Sequence, residues 1–206
     1  MTGQAYRLYD FPFSGNGYKI RLALTQLGHS FDYLVVDILA GESQTPAFLA
    51  INPMGQIPVL VTPDGTILRE SNAILFWLTE GTALMPADRL GKTRVLQWMN
   101  FEQSTIDKVL GRTRFLRAYP HFRVVADEEW AVWSAEGNRA LAVLDRELAG
   151  KTFLVGQAYS AADICLYGYV HSGEEGGFHL DGYPNVTRWL DAVRAQPGHI
   201  PITAHG

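Results

Sequence analysis

The chain has 206 residues, 47% of them hydrophobic, which is ample for a buried core in one domain or two small ones. Its formal net charge is −4 and its Lys and Arg are scattered, which excludes the basic footprint of a nucleic-acid or anionic-membrane binder, and no apolar run approaches a membrane span or a secretory signal. The lone Cys165 makes no internal disulfide and fits a reducing cytoplasm, and with six dispersed histidines it forms no cluster at metal-ligand spacing, so no metal is expected.

Tyr6–Tyr9 reads as a first strand, followed by a loop over Asp10–Gly17 rich in Pro, Ser, Asn and Gly. A helix then starts near Tyr18. Its apolar positions Ile20, Ala23, Leu24 and Leu27 fall at helical spacing, and Gly28 is placed to end it in the left-handed conformation. Phe31–Asp37 gives a second strand, Ala40–Gln44 a polar and mobile loop, and Pro46–Ile51 a short helix. Asn52–Pro53 turns the chain into a third strand ending at Val61. Pro63–Asp64–Gly65 makes a turn, Thr66–Arg69 returns as a fourth strand, and Ile74, Leu75 and Leu78 mark a helix that begins at Glu70–Ser71. The strand-helix-strand unit implies a parallel first pair and the short turn an antiparallel one, hence a small mixed sheet with helices.

Gly81–Leu90 has Gly, Pro and Asp with no sustained period, which marks a linker, and no convincing strand alternation follows it. The second domain is therefore expected to be all-helical. Leu96, Met99, Gln103, Ile106 and Leu110 mark one face of a long helix that Pro120 stops. Ala131, Leu141, Leu144 and Leu148 mark the next, closed by Gly150. Ser160-Ala-Ala-Asp163 is a cap with a reciprocal acid three residues on, and the apolar run Ile164–Val170 after it reads as a buried helix. Gly173–Gly177 is a flexible loop, Pro184–Gln196 a last helix packed by Trp189, Leu190 and Val193, and the chain after Pro197 either crosses the cleft or lies disordered.

Pro58 inside the apolar run Ile57–Val61 lacks the N–H a central strand needs. An edge strand would explain it. So would a cis Ile57–Pro58 bond, which would turn the Ile57 backbone outward and leave its N–H and C=O for an extended peptide ligand. Glu70–Ser71 either caps a helix or offers helix N–H groups to a carboxylate, with the Glu70 carboxylate beside them to hold an ammonium. Together these groups suit the amino-acid end of a small peptide. Ser14 and Asn16 immediately precede the helix near Tyr18, where its free N–H groups point, although Ser, Asn and Gly also make ordinary turns.

The order and spacing of Pro53, Gln56-Ile57-Pro58-Val59-Leu60 and Arg69-Glu70-Ser71-Asn72 resemble the glutathione transferases, and the resemblance runs from Tyr6 to about Pro197, densest in the first eighty residues or so and again around Ser160–Asp163. The resemblance implies the glutathione transferase fold. An α/β thioredoxin-like domain with a mixed four-stranded sheet and a cis-proline would span residues 1–81, a linker 82–90, and an all-α domain 91–206. It implies an enzyme that takes glutathione as co-substrate, with no further cofactor, and adds its thiolate to a hydrophobic electrophile of unknown identity. A free thiol has a pKa of about 8.5, and lowering it by about two units takes roughly 2.7 kcal/mol of preferential thiolate stabilisation. A hydrogen bond to a charged group contributes ~1.5–3 kcal/mol and a helix N-terminus up to ~2.

Ser14-Gly-Asn-Gly-Tyr-Lys-Ile is similar to the Thr-Pro-Asn-Gly-His-Lys-Ile type of loop in the nu class and its yeast prion-domain relatives, and serine-type transferases place Ser near the same spot. The resemblance thus implies Asn16 or Ser14 as the thiolate donor, unranked, with Tyr9 as the competitor drawn from tyrosine-type enzymes. The absence of cysteine at positions 14 and 16 departs from the omega and related types, and Cys165 in an apolar helix looks inert. It further implies that the Ile57 backbone beside Pro58 meets the cysteinyl unit. Glu70 and Ser71, helped by Gln56, would meet the γ-glutamyl end, and Gln44 the glycine carboxylate. A homodimer is implied, in which Glu102 either reaches the γ-glutamyl group in the partner subunit or lies on a solvated helix face. Arg112, Arg114, Phe115 and Tyr119 run towards the cleft mouth or into the helix core. Three other readings stay open: glutathione-dependent disulfide or peroxide reduction, a non-catalytic module like those in translation factors and stress regulators, and a zeta-type isomerase. The last is weakened because the usual Ser-Ser-Cys segment is Ser14-Gly15-Asn16 here.

Overall fold

Along the first strand, β1 (Tyr6–Asp10), Leu8 and Asp10 are buried on one face while the half-buried Tyr9 faces the other. The structure is a computed structural model that describes residues 5–205. β1 pairs in parallel with β2 (Phe31–Val35), in register Tyr6 with Phe31, and antiparallel with β3 (Val59–Val61), Tyr9 opposite Val59. β3 pairs antiparallel with β4 (Ile67–Leu68), giving a mixed four-stranded sheet of order β2-β1-β3-β4. The thioredoxin-like arrangement expected from the sequence is the one observed.

Three helices complete this unit: α1 (Gly15–Gln26), α2 (Pro46–Ile51) and α3 (Ser71–Thr79). α1 starts at Gly15, ahead of the start expected near Tyr18, because Ser14 Oγ accepts the Gly17 N–H at 3.0 Å and caps the helix there. The segment Ala40–Gln44 differs from the mobile loop expected. Glu42–Gln44 forms a 3₁₀ turn, Glu42 Oε2 accepts the Asp37 N–H at 2.6 Å, and Asp37 Oδ1 accepts those of Leu39 and Ala40.

The chain divides into two compact units, one running up to Glu80 and resumed from Pro197, the other Gly81–Gln196. The tail therefore belongs with the sheet rather than with the helical domain in which the sequence reading placed it. It lies against α1: the Tyr18 hydroxyl donates to Ile200 O at 2.6 Å, and the His205 ring stacks on Tyr33 with centroids 4.7 Å apart.

The second unit holds α4 (Arg89–Phe101), a π-helical stretch Glu102–Gly111, α5 (Arg112–Ala118), α6 (Asp127–Glu147), α7 (Ala161–Val170) and α8 (Pro184–Arg194). Asp88 caps α4 by accepting the Gly91 N–H at 2.9 Å, so this helix begins inside the expected linker. The inward face of α4 and the π stretch is Val95, Met99, Ile106 and Leu110, whereas Leu96 is exposed. On α6 the core face starts at Trp133, not at the exposed Ala131, and Gly137 admits the Phe178 ring, since a Cβ there would sit 2.2 Å from Phe178 Cε1. α7 is buried along its whole length, and the expected capping box at its start is present. Among the described residues no helix is long and apolar enough to cross a membrane, and no group of three or more His, Cys, Asp or Glu side chains is placed to hold a metal ion.

Candidate functional site

Two helix N-termini in the sheet-containing unit are tied side by side. The Ser71 hydroxyl, at the first residue of α3, donates to Asn16 Oδ1 in the first turn of α1 at 2.9 Å. One turn further along, the fully buried Lys19 donates through Nζ to Asn72 Oδ1 at 2.8 Å. Residues 55 positions apart thus meet, and both helices present the free N–H groups of their first turns in one region.

The two candidate donors keep protons to give. Asn16 spends its Oδ1 on Ser71, and its Nδ2 makes no hydrogen bond among the described residues. Ser14 Oγ accepts from Gly17 N, which leaves the hydroxyl proton of this half-buried residue uncommitted. Tyr9 packs against the apolar cluster that Ile57 also joins. It projects from the opposite face of β1 to Asp10 and packs edge-on against Phe48 of α2 at 6.3 Å, in the apolar cluster of Val36, Phe48 and Val59.

The Ile57–Pro58 peptide bond is cis. The N–H and C=O of half-buried Ile57 make no hydrogen bond among the described residues, so they remain for an extended ligand. The loop before it is braced from below: Asn52 Nδ2 donates to Gln56 O at 2.7 Å, and Gln44 Nε2 donates to Gly55 O at 3.1 Å. The latter bond brings Gln44 beside Gln56, and both side chains are exposed.

Glu70 has φ 64° and ψ 109°, the one positive φ among the described non-glycine residues. Such a backbone costs ~1–3 kcal/mol, which the surroundings must hold in place. The conformation leaves the Glu70 side chain exposed beside the N-terminus of α3, while Ser71 is only 5% exposed. Ser14, Asn16, Ile57, Glu70 and Ser71 therefore belong to one unit, with Gln44 and Gln56 at its loop edge.

Glu102 does not fit the role expected for it. It is 0% exposed, the Cys165 thiol donates to its Oε2 at 3.3 Å, and a side chain so enclosed reaches no neighbouring subunit. The expectation that Glu102 contacts a partner's ligand, or lies on a solvated face, is corrected on that ground.

Sequence reasoning missed Lys19 and Asn72, which link the helices, and the buried ion pair of Asp10 with Arg21, Nε to Oδ2 at 3.1 Å. Burial pushes the Asp10 carboxyl up to about 7, against the pull of the Arg21 charge. A cation in α1 flanked on both sides by buried apolar residues was the available signal for each.

Comparison with known proteins bears on the same regions. Residues 8–84 match the model of the glutathione S-transferase N-terminal domain, and residues 127–197 that of the C-terminal domain. A crystal structure of a glutathione S-transferase from Pseudomonas fluorescens Pf-5 superposes with a TM-score of 0.94 at 42% identity, covering 98% of this chain and 100% of that one. Among curated proteins, the disulfide-bond oxidoreductase YfcG of Escherichia coli strain K12 is 32% identical over 198 residues, 92% of this chain and 90% of that protein. Elongation factor 1-gamma 3 of Oryza sativa subsp. japonica is 32% identical over 190 residues, and the match takes in 88% of this chain but only 44% of the elongation factor. With both domain models matched in chain order on the fold described above, the chain belongs to the glutathione S-transferase family.

Proposed function

We propose that the sheet-containing unit binds glutathione and stabilises its thiolate for attack on an electrophilic small molecule, with Asn16 Nδ2 and the Ser14 hydroxyl as donors at the N-terminus of α1. The observation that carries this reading is the 2.9 Å bond from Ser71 to Asn16 Oδ1, which occupies the amide oxygen and leaves its N–H groups to donate beside the paired helix ends. On the same reading the Ile57 N–H and C=O pair with the cysteinyl backbone and the α3 N-terminus with Ser71 takes the γ-glutamyl carboxylate. Glu70, helped by Gln56, takes the ammonium, and Gln44 meets the glycine carboxylate. The proposed homodimer carries no assigned residue across its interface once Glu102 is set aside.

A thiolate so held is reactive towards sulfur as well as carbon. Glutathione-dependent disulfide reduction is the second reading, supported by the similarity to the disulfide-bond oxidoreductase over nearly its whole length. Neither Ser14 nor Asn16 is a cysteine, so the nucleophilic sulfur in either reaction is the ligand's own. The match to part of an elongation factor supports a third reading, a module that binds without catalysis.

The test is a pH titration of the bound glutathione thiol by its thiolate ultraviolet absorbance, on the parent and on Ser14→Ala and Asn16→Ala. The parent should hold the thiol well below about 8.5, and at least one variant should raise it while binding is largely kept. If neither substitution raises it, both donor assignments fail. A tightly bound but unshifted thiol in the parent favours the non-catalytic module.

A further inference from the structure

Arg21 is fully buried in α1, and its guanidinium is shared among four acceptors from three separate stretches of chain. Nε donates to Asp10 Oδ2 at 3.1 Å, Nη2 to Pro12 O at 2.8 Å, and Nη1 to Ile202 O at 2.7 Å and Ala204 O at 2.5 Å. Asp10 ends β1. Pro12 lies in the turn between β1 and α1, which is closed by the Ser14 N–H donating to Phe11 O at 2.9 Å. Ile202 and Ala204 belong to the tail. One side chain therefore fixes the strand end, the turn that delivers Ser14, and the last residues of the chain.

The pair also lies directly behind the first turn of α1. A Cβ on Gly17 would sit 1.6 Å from Asp10 Oδ1, so the carboxylate fills the space beneath the N–H groups that Ser14 and Asn16 flank. An unneutralised carboxylate there would put negative charge where a thiolate is to be stabilised. Arg21 cancels it. The guanidinium needs its fork to do so while also holding Pro12, and the tail satisfies the N–H groups left over.

The tail is held by main-chain carbonyls together with two histidine side chains, one of them His199, whose Nε2 lies 3.4 Å from the Tyr18 hydroxyl. Its acceptors for Tyr18 and Arg21 are the carbonyls of Ile200, Ile202 and Ala204, supplemented by the stack of His205 on Tyr33 at 4.7 Å and 12°. Tyr33 closes the ring of contacts by donating its hydroxyl to Asp10 Oδ2 at 3.5 Å.

We propose that Arg21 is a positioning residue for the thiol-activating turn, and that the tail over residues 199–205 is the strap that holds Arg21 in its working orientation. This rests on the reading of Ser14 and Asn16 as thiolate donors. All the acceptors for Arg21 in the tail are carbonyls and the Thr203 side chain is exposed, so Thr203→Ala leaves activation intact, whereas removal of the strap does not.

The experiment compares the intact protein with a chain ending after Gly198 and with Arg21→Lys, alongside Ser14→Ala and Asn16→Ala. It reads the pKa of the bound glutathione thiol, the split of effects between kcat and KM, and the circular dichroism spectrum. Truncation should lower the thiolate fraction at pH 7 by about threefold or more while glutathione affinity and the folded spectrum persist. A synthetic peptide of residues 197–206 added in trans should restore it. A folded truncated chain with the parent thiol pKa overturns the inference. Should that chain not fold, Arg21→Lys decides: an ammonium cannot span all four acceptors, so an unchanged thiol pKa overturns the inference equally. Failure of the donor reading is seen separately, as unshifted thiols in both Ser14→Ala and Asn16→Ala.

Discussion

Asp163 offers a quantitative test of how the helical unit is held together. Its Oδ1 accepts the Leu154 N–H and the Trp189 Nε1–H, and its Oδ2 accepts the Ser160 N–H and the Ser160 hydroxyl, each at 2.9 Å. As a simple cap the residue would contribute ~1 kcal/mol. Asp163→Ala, however, strands three N–H donors in a dry interior, since only the Ser160 hydroxyl can turn to another acceptor. At ~1–3 kcal/mol for each stranded donor and with less than full additivity, the loss should be about 3–5 kcal/mol, or roughly 10 °C in thermal midpoint for a chain of this size. Urea unfolding followed by tryptophan fluorescence measures it, with Ser160→Ala, expected to cost ~1 kcal/mol, as the reference. The pH dependence has a definite sign. Burial raises the carboxyl to about 6, above its unfolded value near 3.9, so the folded chain binds the extra proton between those limits. The associated stabilisation, about 3 kcal/mol at most, is present below pH 4 and is lost as pH rises through 6, and Asp163→Asn should remove that slope. A cost for Asp163→Ala no larger than that for Ser160→Ala would refute the four-donor account.

Gly17→Ala should be among the most damaging single-methyl changes in the molecule. Its Cβ would lie 1.6, 1.9 and 2.1 Å from Oδ1, Cγ and Oδ2 of Asp10, so the carboxylate must leave Arg21, and a broken buried pair costs about 3–5 kcal/mol. Urea unfolding within about 1 kcal/mol of the parent would show that the pair relaxes without loss. Glu70→Gly separates fold from function at a position with φ 64°. Glycine adopts this backbone freely, so stability should hold within about 1 kcal/mol. Glutathione affinity by calorimetry should nonetheless fall about tenfold through loss of the proposed ammonium partner, and unchanged affinity would remove Glu70 from the site.

The capping box at Ser160 and Asp163 was legible because its partners are three residues apart, and α1 and α3 because their apolar spacing survives in the sequence. What joins those elements was not. Ser71 and Asn16 are 55 residues apart and Arg21 and Ala204 are 183, and no local pattern encodes such meetings. The segment Ala40–Gln44 misled because polar composition was read as mobility, when Asp37 and Glu42 supply the hydrogen bonds that order it. Glu102 misled in the opposite way. It stands three residues after Met99 and four before Ile106, both buried, so its spacing placed it on the inward face, and its charge was allowed to outweigh that spacing.

The π-helical stretch Glu102–Gly111 has a bearing on how such a chain diversifies. Wide turns closed from residue i to i+5 accommodate a surplus residue without breaking the rod. Excising one residue there would tighten the winding to ordinary α turns, and because the wide turns already absorb that residue, Arg112, Phe115 and Tyr119 would rotate by less than the roughly 100° that the same loss imposes in a plain α-helix. The stretch thus acts as a slack coupling: a residue gained or lost is taken up in the winding, and the buried face of α5 beyond it, with Thr113 and Leu116, keeps its bearing.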